Sequence, residues 1–300
     1  MARTIGKYIN NPGLLFISLG HRGWWHWMSD ERYLKVAYRL KMGRRLHLDP
    51  PVTFNEKIQW LKIHDRKPIY TTLVDKYLVK KWVADRIGEE YVIPTLGVWE
   101  HFNDIDFNTL PDQFVLKCTH NSGGVVICRN KAELNLKSAK KTIERDLSRN
   151  FYWGQREWPY KNVVPRIIAE QYLEDKETDS LIDYKFFAFD GDVKALFVAT
   201  DRNSKEETKF DFYDANFHHL PIINGHPNAR VEPAKPETFD RMKELAAILS
   251  KGIPQVRCDF YEVDGKVYFG EMTFSHYSGF VPFEPSEYDV IFGEWIHLPN

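Results

Sequence analysis

Near the C-terminus, Val256-Arg257-Cys258-Asp259-Phe260-Tyr261 leads to a turn at Asp264-Gly265, and the chain returns as Lys266-Val267-Tyr268-Phe269-Gly270-Glu271-Met272-Thr273. The pattern is a hairpin carrying one arginine and two acids. Strand side chains alternate between faces, so Arg257 and Asp259 share a face, as do Val267, Phe269, Glu271 and Thr273 on the return strand. Loop length decides which faces coincide. A two-residue loop, Asp264-Gly265, puts Glu271 on the side away from Asp259. A three-residue loop of Val263, Asp264 and Gly265, with Gly265 left-handed as a bulge residue, puts both acids on one side. Two hard carboxylates beside an arginine fork suit Mg²⁺ carrying a phosphate. An ordinary hairpin with a solvated acidic face accounts for the same string.

Three further groups invite a chemical reading. Phe114 to Lys117 is an apolar run closed by a lysine, followed by Cys118-Thr119-His120-Asn121-Ser122-Gly123-Gly124 and a second apolar run. Gly123 and Gly124 allow backbone N–H groups to approach a phosphate, and Lys117 supplies a point charge. A hairpin loop that needs glycine for geometry alone looks the same. Ile168-Ala169-Glu170-Gln171-Tyr172-Leu173 runs from strand into linker, where exposed backbone and a carboxylate can meet a purine edge; an edge strand with an exposed acid is the plain alternative. Asp183 opens the next strand and can accept from ribose hydroxyls or cap a turn.

The elements that must position these groups follow from patterning. Thr53-Phe54-Asn55-Glu56 is a capping box, which predicts a helix to about His64, and Tyr33 to Leu40 fits an earlier helix. Asp75 to Ile87 has helical apolar spacing with Gly88 as its stop, and it places Lys76 and Lys80 on one basic face. Short strands begin after Tyr91. An amphipathic helix is expected over 138–149, strands over 167–173, 183–189 and 193–200, a helix over 236–251, and mostly irregular chain beyond Ser275. Asp190-Gly191 reads as a tight turn, and the stretch around Lys205 and Lys209 as a solvated charged loop rather than a further phosphate contact.

Composition bounds the class. With 43% hydrophobic and 28% charged residues over 300 positions, the chain is globular rather than disordered. A net charge of −1 with both signs interspersed gives no reason to expect nucleic acid or wholesale attraction to an anionic bilayer. Cys118, Cys128 and Cys258 sit in apolar runs without zinc spacing, as buried thiols of a reducing compartment do. Leu14 to Leu19 is far short of a bilayer span, so a cytoplasmic location is expected. Trp24, Trp25 and Trp27, among His21, Arg22 and His26, are assigned to packing against the body rather than to a membrane-interface patch.

The order of features resembles the ATP-grasp enzymes over about residues 74–280. Phe54-Asn55-Glu56-Lys57, Asp183-Tyr184-Lys185-Phe186-Phe187 and Phe269-Gly270-Glu271-Met272-Thr273-Phe274 look more narrowly like the TupA-like ATP-grasp family of cell-surface polysaccharide synthesis. The resemblance implies an α+β ATP-grasp fold: a helical region over 1–74, a small subdomain with the glycine loop over 75–172, and a large subdomain with the metal site over 173–300. It further implies that Lys80 and Lys117 hold ATP phosphates under a loop containing His120, Ser122, Gly123 and Gly124. Glu170, with backbone of Tyr172 and Leu173, would hold adenine, and Asp183 the ribose. Asp259 and Glu271 would hold Mg²⁺, with Arg257 aimed at the transferring phosphoryl group. The pattern departs from many relatives at Thr273, where they carry an asparagine ligand, and in having no glycine-rich α/β domain ahead of Asp75. Candidates for the remaining substrate contacts are the aromatic and basic loop 151–161, Arg202, and His276-Tyr277-Ser278. The implied function is a Mg-ATP-dependent carboxylate–amine ligase joining an amino acid to a uronic acid of a capsule or wall glycan. A glycosyltransferase using Asp190-Gly191-Asp192, or a sugar kinase, is the alternative. Partners would be those small molecules or glycans, without nucleic acid or a transmembrane segment, and with possible peripheral association with the polysaccharide machinery.

Overall fold

Two antiparallel sheets organise the computed structural model, which describes residues 12–175, 181–201 and 207–299. The smaller has the order β1 (Thr95–Trp99), β4 (Ile167–Gln171), β2 (Phe114–Cys118), β3 (Val126–Cys128). Its inward residues Phe114, Leu116, Cys118, Ile167 and Ala169 pack under Ala139 and Ile143 of helix α6 (Leu136–Leu147). The larger runs β10 (Lys266–Thr273), β9 (Val256–Val263), β5 (Asp183–Phe189), β6 (Asp192–Thr200), β7 (Lys209–Asp214), β8 (His219–Leu220). One of its faces, with Phe186, Leu196, Cys258 and Phe260, packs on Met242, Leu245 and Leu249 of α8 (Phe239–Ser250). The opposite face of the large sheet carries a second apolar cluster with Phe187, Phe197 and Phe212, and beside it the polar row of Lys185, Arg257 and Asp259.

The helical N-terminal part consists of α1 (Pro12–His21), α2 (Asp30–Met42), α3 (Phe54–His64) and α4 (Ile69–Val74). The capping box forms as the sequence requires: the Thr53 hydroxyl accepts from the Glu56 N–H, and the Glu56 carboxylate accepts from the Thr53 N–H at 3.2 Å. Phe54 and Ile58 of α3 then cover part of the large sheet's second face, together with Phe292 of α9 (Glu287–Glu294). That last helix lies in a stretch read as irregular. Its eight residues expose little periodicity, and Asp289 fixes it from a distance by accepting from the Asn55 N–H at 2.9 Å.

Two other expectations change. Helix α5 (Leu78–Ile87) does not start at Asp75, because the Asp75 carboxylate takes the N–H groups of Tyr77 and Leu78 at 2.9 and 3.2 Å and ends the turn before it. Lys76 therefore lies outside the helix that carries Lys80. Val79, Val83 and Ile87 of α5 join the large-sheet core. Lys209, placed in a solvated loop by its charge, opens β7 and pairs with Thr200.

Candidate functional site

The hairpin resolves its own ambiguity in a way neither loop length anticipates. Val263 pairs with Lys266, so the loop is the two-residue Asp264-Gly265, with φ of 49° and 73° as a mirror-image hairpin turn needs. That register alone sends Glu271 to the α8 side with Val267 and Phe269. A β-bulge at Gly270 intervenes: Phe269 pairs with Phe260, but Glu271 pairs with Asp259 and Thr273 with Arg257. The extra residue reverses the alternation. Val267 and Phe269 stay in the core while Glu271 and Thr273 turn to the polar face, so those four residues do not share one face. Glycine relieves a close approach there, since a Cβ at position 270 would sit 3.1 Å from the Asp259 carbonyl oxygen.

A charged row then crosses three strands: Lys185 on β5 opposes Asp259 on β9, which opposes Glu271 on β10. Arg257 forks onto both Asp259 oxygens at 2.7 and 2.8 Å, and Lys185 contacts the same carboxylate. Lys185 also reaches Asp183 at 3.2 Å. Burial pushes the Asp259 carboxyl up, but Arg257 and Lys185 more than offset it and hold the group at about 2. Sequence reasoning passed over Lys185. Its signal was the alternation Asp183-x-Lys185 on an otherwise apolar strand.

Arg257 is held from the other side as well. It donates to Nδ1 of His276 at 2.8 Å and to the Thr273 hydroxyl at 3.1 Å. A guanidinium only donates, so Nδ1 accepts and the proton sits on Nε2, which donates to Oδ1 of Asn224 at 2.8 Å. Burial, then the Arg257 charge, drives the His276 pKa well below its usual value, which keeps the ring a neutral acceptor. His276 is thus a prop for Arg257 rather than a free ligand.

The small sheet presents its own charged group across the cleft. Glu170 lies between two lysines, one oxygen 2.5 Å from Lys80 and the other 2.5 Å from Lys117. Burial raises the Glu170 pKa, and Lys117 and Lys80 overcome it, to about 2. Lys80 also donates to the Ile93 carbonyl at 2.6 Å. Lys76 bonds the Asn121 carbonyl of the glycine loop; burial lowers its pKa, and Glu271 of the large-sheet row, with Lys117 and Glu170 of the small-sheet cluster, lie near enough to act on its charge. In the loop, Asn121 binds the Asp146 carbonyl and accepts from the Gly123 N–H, both near 3 Å; Gly124 takes φ 64°; and His120 is tied through Nε2 to the Arg149 carbonyl at 3.0 Å. The Tyr172 hydroxyl accepts from Arg129, while Leu173 is buried.

A cavity of about 640 Å³ opens beside the row. Arg257, Lys185, Glu271 and His276 line it, Ser122 of the glycine loop closes one side, and Lys41 of α2 another. Aromatic rings of Phe151, Tyr160, Phe197, Phe210 and Tyr277 supply flat walls. Tyr277 and Ser278 carry φ of 46° and 57°, a left-handed conformation costly for non-glycine residues. It is held by α3: Gln59 and Lys62 both donate to the Ser278 carbonyl, at 2.9 and 2.6 Å, and Lys62 also to the Ser278 hydroxyl. Glu157, on the same wall, is raised by burial, as Lys62 beneath it is lowered by burial. The loop 151–161, which includes the short helix α7 (Tyr152–Gln155), divides: Glu157 and Tyr160 face the cavity, whereas Arg156 is fully buried against Tyr33 and the Trp25 carbonyl. Arg202 and Lys205 lie outside the described residues. Asp190-Gly191 is a two-residue turn in which Asp190 accepts from the Gly252 N–H, and Asp192, exposed at the start of β6, pairs with Lys194.

The donor set fits a hard divalent cation unevenly. Glu271 is more than a third exposed, and its contacts to Arg257 and Thr273 are loose, at 3.4 and 3.3 Å; it is available to a cation. Asp259 is 1% exposed with Arg257 and Lys185 on its oxygens, and it can serve only by sharing them. Among the described residues no group of three or more His, Cys, Asp or Glu side chains gathers as around a metal.

No curated protein matches the sequence. Among solved structures the chain is similar to D-alanine–D-alanine ligase from Bacillus anthracis complexed with ATP (16% identity, TM-score 0.41, covering 75% of this chain and 59% of that one). It is also similar to the Helicobacter pylori enzyme (15%, 0.44, 82% and 69%) and to the ATP-grasp ligase PsnB complexed with minimal precursor, Mg and ADP (11%, 0.40, 74% and 57%). The chain spans about three fifths of the length of the first of these. The model of the TupA-like ATPgrasp family matches residues 56–297, which takes in the lysine pair, the glycine loop, both sheets and the bulged hairpin, and the chain is therefore a member of that family.

Proposed function

We propose that the protein is an ATP-dependent carboxylate–amine ligase that forms an amide through an acyl phosphate. The observation that carries this reading is a Lys80–Glu170–Lys117 cluster on one sheet and an Arg257–Asp259–Glu271 row on the other, with Lys76 near both and with Arg257, Glu271 and Ser122 of the glycine loop lining one cavity. Lys80 and Lys117 would draw the phosphates of ATP between the sheets, with the loop His120 to Gly124 over them. Backbone of Tyr172 and Leu173 would take the adenine edge and Asp183 the ribose. Mg²⁺, held by Glu271 with Asp259 behind it, would supply charge neutralisation to the phosphates when bound.

The remaining work falls to the chain's own residues. Lys185, Arg257 and Lys41 make the cavity attractive to a carboxylate, and its aromatic walls suit a sugar ring; a uronic acid combines both. Arg257, fixed by Asp259 and His276, is prepared to stabilise the oxyanion that forms as an amine attacks the acyl group. Glu157 is the titratable wall residue suited to accept the proton that the amine must shed. By family likeness the acceptor would belong to capsule or wall polysaccharide synthesis, with an amino acid as the amine.

Incubation of the pure protein with Mg-ATP and panels of uronic acids and amino acids tests the reading. A ligase releases ADP and phosphate only when carboxylate and amine are both present. Phosphate retained on a single acceptor would make the protein a kinase, and turnover of a nucleotide sugar without ATP would make it a glycosyltransferase.

A further inference from the structure

The tryptophan cluster does not pack as a unit. Trp25 turns inward, stacked on Phe16 with centroids 5.1 Å apart and donating to the Phe16 carbonyl at 3.0 Å. Trp24 and Trp27, on either side of it in the turn after α1, are 62% and 77% exposed, and Leu15 on α1 is 40% exposed. Two indoles in water are costly for a loop that needs neither for its turns, and indole is the side chain that gains most at a bilayer interface.

Charge is segregated to match. Residues 12–48 hold seven lysines and arginines against Asp30 and Glu31, a net of +5, in a chain whose total is −1. Both acids are spent, Asp30 on Arg66 at 2.5 Å and Glu31 on Lys35 at 2.5 Å. Arg22, Arg32, Arg39 and Arg45 are exposed and enter no ion pair among the described residues. The near-neutral total conceals this segregation, and with it an electrostatic reason to approach an anionic surface.

We propose that the turn carrying Arg22, Trp24 and Trp27 docks the protein peripherally on a bilayer containing anionic lipid, the two indoles entering the headgroup region and the basic N-terminal helices facing the lipid charge. No helix of the described residues is long and apolar enough to cross a membrane, so the contact is interfacial. Helix α2, which carries Arg32 and Arg39, also lends Lys41 to the substrate cavity, so docking surface and cavity share one element.

The test is co-sedimentation of the full chain with vesicles of phosphatidylcholine plus phosphatidylglycerol and with phosphatidylcholine alone. Binding is expected to the anionic vesicles, to weaken as salt is raised several-fold, and to fall on the order of tenfold in W24A/W27A. Both residues are exposed, so the double variant should keep the wild-type melting temperature. No binding to anionic vesicles, or equal binding by the double variant, would overturn the proposal. So would light scattering that shows a dimer which W24A/W27A converts to monomer, since a second copy would then be the occupant.

Discussion

Replacing Glu170 by glutamine tests what that residue is for. Its carboxyl is held at about 2 rather than 4.5, with Lys117 and Lys80 overcoming the effect of burial. At roughly 1.4 kcal/mol per unit, the two lysines make the ionised form worth about 3 kcal/mol to the folded state. The estimate agrees with the range of about 3–5 kcal/mol for breaking a buried ion pair by removing one partner. The sign is that of a depressed acid: the contribution is complete above pH 4.5 and is lost as pH falls towards 2. Urea unfolding at neutral pH should therefore show E170Q less stable by about 3 kcal/mol, with the gap closing in acid. Glutamine also stops competing with phosphate for the two ammonium groups. Inorganic tripolyphosphate, which has no base to recognise, should bind the variant at least as tightly as the wild type. If E170Q were as stable as wild type at neutral pH but had lost ATP while keeping tripolyphosphate, Glu170 would be an adenine ligand and not the clamp of the lysine pair.

Other outcomes follow from the same geometry. Glu271→Ala should abolish ATP-dependent turnover with stability within about 0.5 kcal/mol of wild type, because Glu271 is partly exposed and loosely held; Lys117→Ala should lose turnover and stability together, since it strips one partner from Glu170. Arg257→Lys should reduce turnover about a hundredfold or more, as a point charge cannot fork onto Asp259 and reach His276, and steady-state kinetics would show it. Gly270→Val should cost about 1–3 kcal/mol by forcing a side chain against the Asp259 carbonyl, as chemical denaturation would measure. His276 has a depressed folded pKa, so the unfolded chain binds its proton first and wild-type stability should decline as pH drops below about 6.5; His276→Gln should lack that component of the decline.

Much of this protein could be read from local signals. The capping box at Thr53, the turns at Asp190-Gly191 and Asp264-Gly265, the buried thiols and the order of lysines, glycine loop and acids are all short-range features, and each is stated by residues a few positions apart. Tertiary structure decided how those residues combine. The bulge at Gly270 is silent in the alternation until Asp259 pairs with Glu271, and that pairing alone carries Glu271 out of the core. Lys185, the Arg257–His276–Asn224 chain and the left-handed Tyr277–Ser278 held by Gln59 and Lys62 join residues tens to hundreds of positions apart. The outward turn of Trp24 and Trp27 beside an inward Trp25 has the same origin. Local sequence sets backbone conformation and alternation through nearest-neighbour sterics and hydrogen bonds; which charges meet, and which aromatic rings find a partner, is set by the packing of whole elements against each other.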